Sequence, residues 1–351
     1  MLTPVTHVLP LTTIQRKRLL PVDGHVRVRA GQHVRGTDVI ATAILAPRHH
    51  ILNLSSGLGV SEAEAERHLE RFVEDDVVAG DLIARKKGFI SRNVRAPVDG
   101  RIVLISGALV FIQEKHGSLE LRAGLPGQIR ELIIDRGVTL TTTGALVQGV
   151  WGNGRIDSGA LAVIAANPDQ VIDPEQIDVS LRGSVILGGH CSAVEVLERA
   201  QTERLRGLIL GSLASDLIPA ARKMPYPILV LDGFGRLAMN AAAFTLLATN
   251  DKREVALNAE PFSRENGARP EVLIPLPPPP TAEIVPDFAE LERGQRVRIV
   301  RAPYQGTIGT ITQIQTGLAV FPNGLRAAAA NVKLSGGEIV QVPLVNLEIL
   351  I

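Results

Sequence analysis

Cysteine is almost missing: Cys191 stands alone in 351 residues, which excludes an intramolecular disulfide framework and fits a reducing compartment. Aromatic residues are nearly as scarce, 3% of the chain with one tryptophan and two tyrosines. Few platforms therefore exist for a protein whose main work is to stack bases. Neither sign of charge dominates: 37 Lys and Arg face 36 Asp and Glu, a formal net charge of +1, so there is no global attraction to nucleic acid or anionic lipid. No apolar run approaches the roughly 18 to 20 residues that span a bilayer. The stretch Met1 to Pro21 lacks the basic start and continuous apolar segment of a signal peptide. These absences predict a soluble cytoplasmic chain with no membrane partner.

What the chain has in quantity is aliphatic. Apolar residues make up 45%, so its cores are built from Val, Ile, Leu and Ala, and its length suggests two to four domains.

From Leu20 to about Gly154, short alternating apolar runs broken by glycine read as strands and tight turns. Two stretches repeat. Pro21-Val22-Asp23-Gly24 corresponds to Pro97-Val98-Asp99-Gly100, and 34–41 (VRGTDVIA) to 77–84 (VVAGDLIA). Leu125-Pro126-Gly127 looks like a third, degenerate copy of the turn-strand unit. Asp-Gly steps favour the positive φ such turns use. The repeats resemble the two interlocked halves of biotinyl/lipoyl-type barrel-sandwich hybrid domains. In a carrier of that family the modified lysine lies about seven residues before the Ala-Pro step. Counting back from Ala96-Pro97 meets Phe89 and Ile90, with Lys86 and Lys87 too early, so the resemblance implies a scaffold without a covalent cofactor. A capping box at Ser61 to Glu64, followed by Ala65, Leu69 and Phe72, predicts a helix between the repeats. His49, His50 and His68 read as surface residues rather than metal ligands, having no HExxH-type signature. Trp151, set among Gly149, Gly152 and Gly154, caps a seam between domains or lines a partner site.

The period changes between about Asp178 and Asn250. The runs 184–187, 207–210 and 227–231 each end in a glycine turn (Gly188-Gly189, Gly211-Ser212, Asp232-Gly233-Phe234-Gly235) and lead into a helical stretch. Three such units imply parallel strands, with Ser192 as one helix cap. Ligands of such sheets bind beyond the carboxyl ends of the strands. That rule puts Gly188, Gly189, His190, Cys191, Gly211, Ser212, Asp232 and Gly233 on one candidate edge. No GxGxxG or GxxxxGK[ST] motif stands there. Cys191 beside His190 is either a nucleophile near a helix N-terminus or a small apolar filler.

Beyond Asn258 the chain turns polar and reaches Pro277 to Pro280, a composition expected of a semi-rigid linker. The run 294–311 (GQRVRIVRAPYQGTIGTI) carries Val297, Ile299 and Ile311 at alternating positions, with Gly306 and Gly309 in the intervening turn. This run, with the later strands to Ile349, resembles the KOW motif of transcription elongation factors and some ribosomal proteins. The resemblance implies an SH3-like barrel that contacts protein or nucleic acid. Residues 291–351 hold six basic against three acidic side chains, and Arg296, Arg298, Arg301 and Tyr304 are the candidate contacts.

The expected fold is therefore multi-domain and mixed. It consists of a β-rich barrel-sandwich-like N-terminal region (1–154), a small parallel α/β domain (155–258), a Pro-rich linker (259–290) and a C-terminal SH3-like β-barrel (291–351). Taken whole, the arrangement resembles a bacterial family from which no activity carries over. The expected role is a non-catalytic binding or scaffold protein that docks a protein partner or itself and needs no metal or cofactor. Nucleic-acid association through the C-terminal barrel, and a small-molecule, nucleotide or enzymatic site on the central domain, are the alternatives.

Overall fold

The computed structural model of the chain describes residues 2–88, 91–114, 117–263, 268–277 and 288–350. Phe89, Ile90 and Pro278 to Pro280 lie outside the described residues. Strand accounts for 47% of the structure and helix for 14%, which makes it the β-rich, several-sheet, mixed fold that the glycine-punctuated aliphatic sequence implies. No helix among the described residues is long and apolar enough to cross a membrane. The chain divides into two compact units, one of 1–19, 28–40 and 122–351, the other of 20–27 and 41–121.

The larger unit is organised by an eleven-stranded sheet. Ile156–Val163, Ser184–Cys191, Gly207–Leu213 and Ile228–Phe234 run parallel in that order. Helices Val194–Thr202, Ile218–Lys223 and Ala241–Ala248 fall between or after them. The strands read as continuous apolar runs because both faces are covered. One face packs Ile186, Leu208, Leu210, Ile228 and Val230 against Val196, Leu197 and Ala200. The other packs Val185, Leu187, Ile209 and Leu229 against Ala243 and Leu247.

Beyond Ile156–Val163 the sheet continues antiparallel through Glu254–Asn258, Glu271–Pro275 and the long strand Gly137–Gln148. Glu271–Pro275 comes from the stretch read as linker. Its Val272, Leu273 and Ile274 are buried between strands, so the linker reading fails for these residues: apolar patterning resumes before the prolines begin. Val8–Leu19 pairs with Gly137–Gln148. Leu2–Thr6 instead lies between Phe288–Glu290 and Leu347–Leu350, in a seven-stranded sheet with Arg296–Ile299, Ile308–Ile314, Ala329–Leu334 and Ile339–Pro343. Val297, Ile299 and Ile311, the expected inward positions, share a core there with Val5, Val332 and Ile349.

The smaller unit holds the four-stranded sheet His49–Asn53, Leu109–Glu114, Gly100–Ser106, Asp76–Val77 and the ribbon Leu82–Lys86 with Arg92–Arg95. Its helical part differs from expectation. Leu54–Leu58 is a helix capped by Asn53, whose side chain accepts from Ser56 N at 3.1 Å. The stretch after Ser61 is helical only through Glu62–Ala65 and a 3-10 turn at Glu66–His68, and Ser61 makes no side-chain cap bond. Strand pairing stops it: Leu69 bridges Ala84, and Glu70 N donates to Ile83 O at 2.9 Å. Phe72 ends up exposed.

The internal repeats are geometric as well as sequential. Asp38 accepts from Arg35 N at 2.8 Å and donates its N–H to Arg35 O at 3.1 Å. Asp81 does the same with Val78, at 3.2 and 2.9 Å. A Cβ on Gly24, Gly100 or Gly127 would sit 2.3, 2.3 or 2.4 Å from a carbonyl oxygen of the adjacent strand. Glycine is required at all three copies because a neighbouring backbone occupies the space of a side chain.

Candidate functional site

The carboxyl edge of the parallel strands is where sequence reasoning looked for a ligand, and it is filled by the chain itself. The strand expected to end at Gly188-Gly189 continues to Cys191. Residues 168–172 lie across it: His190 N donates to Gln170 O at 2.7 Å, and Ile172 N to His190 O at 2.9 Å. A Cβ on Gly188 would meet Ile172 at 2.3 Å, one on Gly189 would meet Gln170 O at 2.1 Å, and one on Gly211 would meet Met239 at 2.9 Å. These glycines admit packed backbone and side chains. Gly233 is the residue of the set with a positive φ, 147°.

The polar groups of this edge are committed to one another. His190 and Ser212 are cross-strand partners, both buried, with Nδ1 2.9 Å from the hydroxyl oxygen. That hydroxyl donates to Leu237 O at 2.7 Å and accepts from Leu237 N at 3.2 Å. With the single hydroxyl proton so used, His190 Nδ1 must donate to Ser212 rather than take its proton. Burial lowers the pKa of His190, as does the nearby charge of Arg236, against the opposing contact with Ser212. Cys191, one residue on, faces the opposite side of the sheet and enters the apolar core. Burial pushes its thiol up to about 11 despite the contact with Ala193 O, so the adjacent imidazole and thiol do not form a catalytic pair. Ser192 does not cap the next helix: Ala193 occupies that position without a side-chain bond.

Asp232 accepts from Asn240 N at 2.8 Å and from Arg298 Nη1 at 3.1 Å. Burial raises its pKa, offset in part by the charge of Arg298 and the Asn240 bond. Arg298 also donates to Leu231 O at 3.3 Å and through Nε and Nη2 to Glu348, at 3.1 and 2.7 Å. Arg269 donates to the other Glu348 oxygen and to Thr6 Oγ1 at 2.9 Å. Burial alone would raise the pKa of Glu348. The charges of Arg298 and Arg269, with hydrogen bonds from Thr6 and Arg298, overcome that and hold it at about 2. Arg298 was expected among the outward phosphate contacts. It is instead 4% exposed. Alternation puts it on the same side of the strand as Arg296, away from Val297 and Ile299, but there it meets Leu231 O, Asp232 and Glu348 and joins the parallel sheet to the seven-stranded one.

Arg296 and Arg301 remain exposed. Arg296 lies in register with Thr310, and Thr310 with Lys333. The three exposed side chains form a row across three strands, along a shallow cavity of about 300 Å³. Tyr304 is half-buried, its hydroxyl 3.4 Å from Glu338. Trp151 is half-buried and meets Phe234 edge-on, ring centroids 5.9 Å apart, beside the core of the parallel sheet.

In the smaller unit, Ile51 pairs with Phe111 and Phe111 with Leu104. Ile51 is 60% and Leu104 49% exposed, and Phe111 is half-buried. This apolar row lies on a sheet bordered by His49–Asn53. His50 lies 3.5 Å from Glu114 and His68 3.6 Å from Glu64. Among the described residues no three His, Cys, Asp or Glu converge as a metal site. Sequence reading missed both cross-strand rows, because each exists only once the register is known. No family model and no curated protein matches the chain.

Proposed function

We propose that the chain is a non-catalytic binding or scaffold protein that docks through its β modules and self-associates. The observation that carries this reading is the exposed row Ile51–Phe111–Leu104, on a sheet whose border strand His49–Asn53 has one partner strand among the described residues. An apolar face next to an open strand edge is the combination that pairs with another chain. A two-fold axis lets one such edge satisfy its own copy. The reactive side chains of the parallel sheet support the same reading, since His190, Ser212 and Asp232 are spent on internal contacts. Sedimentation equilibrium of the full chain tests it. Association that strengthens with concentration and is lost in Ile51→Glu supports docking through this face, whereas a monomer at all concentrations removes self-association.

A second reading rests on the row Arg296–Thr310–Lys333, where two exposed cations without carboxylate partners among the described residues flank a hydroxyl. A phosphate backbone would follow such a row, and Arg296 and Thr310 belong to the KOW-like run 294–311. Binding to a single-stranded oligonucleotide should then fall steeply with salt, and the double variant Arg296→Gln, Lys333→Gln should flatten that slope. Salt-independent binding, or none, counts against this reading.

A further inference from the structure

The geometry points to an anion site at the opposite, amino edge of the parallel sheet, built by Arg182, Arg204 and Arg206 and shaped for a phosphate monoester. It is independent of the docking surfaces above. Short connections enter the strands Ser184–Cys191, Gly207–Leu213 and Ile228–Phe234 at this edge. Between them lies an open cavity of about 470 Å³ lined by the three arginines, Asp157, Gln201 and Pro225, a volume within the range of small-molecule sites. Arg182 and Arg206 each stand just before one of two paired strands, where Val185 is in register with Gly207.

Arg204 is the informative residue. The helix Val194–Thr202 ends with Leu205 N donating to Ala200 O at 2.9 Å and Arg204 N to Gln201 O at 3.1 Å. This closing turn places Arg204 in the left-handed region, φ 56°, where glycine is the residue without steric cost. The sequence has put a long cation there instead, at a position that lines the cavity.

The charges are only partly answered. Asp157 engages Arg206 through one nitrogen, Nη1, at 3.1 and 3.2 Å. Glu203 lies 3.8 Å from Arg182, beyond hydrogen-bond reach, and Arg204 has no carboxylate partner among the described residues. Arg182 and Arg206 are each 55% exposed. Three guanidinium forks with donors to spare fit the oxygens of a dianionic phosphate. A cation at a helix C-terminus also offsets the helix dipole. That explains Arg204, and Arg182 only as the cap of the three-residue 3-10 turn Val179–Leu181; it leaves Arg206, which stands before a strand, unexplained.

Isothermal titration of the full chain with inorganic phosphate and with phenyl phosphate tests the site. Saturable binding of either is expected. Arg204→Gly, whose backbone suits the turn, should keep or raise the melting temperature while weakening binding about tenfold or more, the loss expected for a charge-assisted contact. Arg182→Gln, at an exposed position, should weaken it likewise. Tighter binding of phenyl phosphate would identify the ligand as an organic monoester, and equal binding would narrow it to the phosphate group. No saturable heat up to about 10 mM, the weak end of specific binding, would overturn the proposal. So would unchanged affinity in both variants.

Discussion

Removing Arg298 tests whether the buried charges hold the larger unit together. Arg298→Met deletes two bonds to Glu348, one to Asp232 and one to Leu231 O. Glu348 would keep Arg269 and Thr6 as neighbours, but Asp232 would retain only Asn240 N of its two bonds. Breaking a buried pair on one side strands a carboxylate in a poorly solvated place, at a cost of about 3–5 kcal/mol. That is a large share of the roughly 5–15 kcal/mol by which folded proteins are stable. Trp151, the only tryptophan, lies in this unit against Phe234, so urea unfolding followed by its fluorescence reports on the region concerned. Adding Asp232→Asn should recover part of the loss, because the stranded charge is then gone. A loss below about 1 kcal/mol, the scale of a surface pair, would mean that these charges do not hold the unit together.

Two further outcomes follow from the same chemistry. Glu348, held at about 2 against an ordinary 4.5, contributes about 3 kcal/mol that is fully present above pH 4.5 and lost as pH falls toward 2. Asp232, whose pKa is raised by burial, acts in the opposite sense and offsets part of that loss. The urea midpoint should hold from neutral pH to about 5 and then fall, less steeply in Glu348→Gln; an equally steep fall in both proteins would contradict the assignment. Cys191, pushed up to about 11, should react with a disulfide reagent at pH 8 at least about a hundredfold more slowly in the native than in the urea-unfolded chain, and equal rates would place it outside the core.

Much of the fold was legible in the sequence, and the part that was not has a common cause. The parallel strands could be read because Ser184–Cys191 and Gly207–Leu213 are apolar on both faces, and the repeats because Asp38 and Asp81 close the same turn. Strand order across long separations could not be read. Nothing local says that Leu2–Thr6 lies beside Leu347–Leu350, or that Glu271–Pro275 crosses the middle of a sheet. The same blindness shaped the candidate site. Glycines at 188, 189 and 211 signal close approach, but only the structure shows that the approaching groups are Ile172, Gln170 and Met239. Arg298 looks like its neighbours Arg296 and Arg301 in sequence, and only the structure shows Leu231, Asp232 and Glu348 packed against it.

The proposed docking surface is a sheet border in the smaller unit, His49–Asn53. Amide hydrogen exchange measured at low and high protein concentration tests it directly. The amides of His49–Asn53 should gain protection as concentration rises, and the gain should disappear in Ile51→Glu. Protection of 49–53 that does not change with concentration, or a gain confined to other segments, would contradict it.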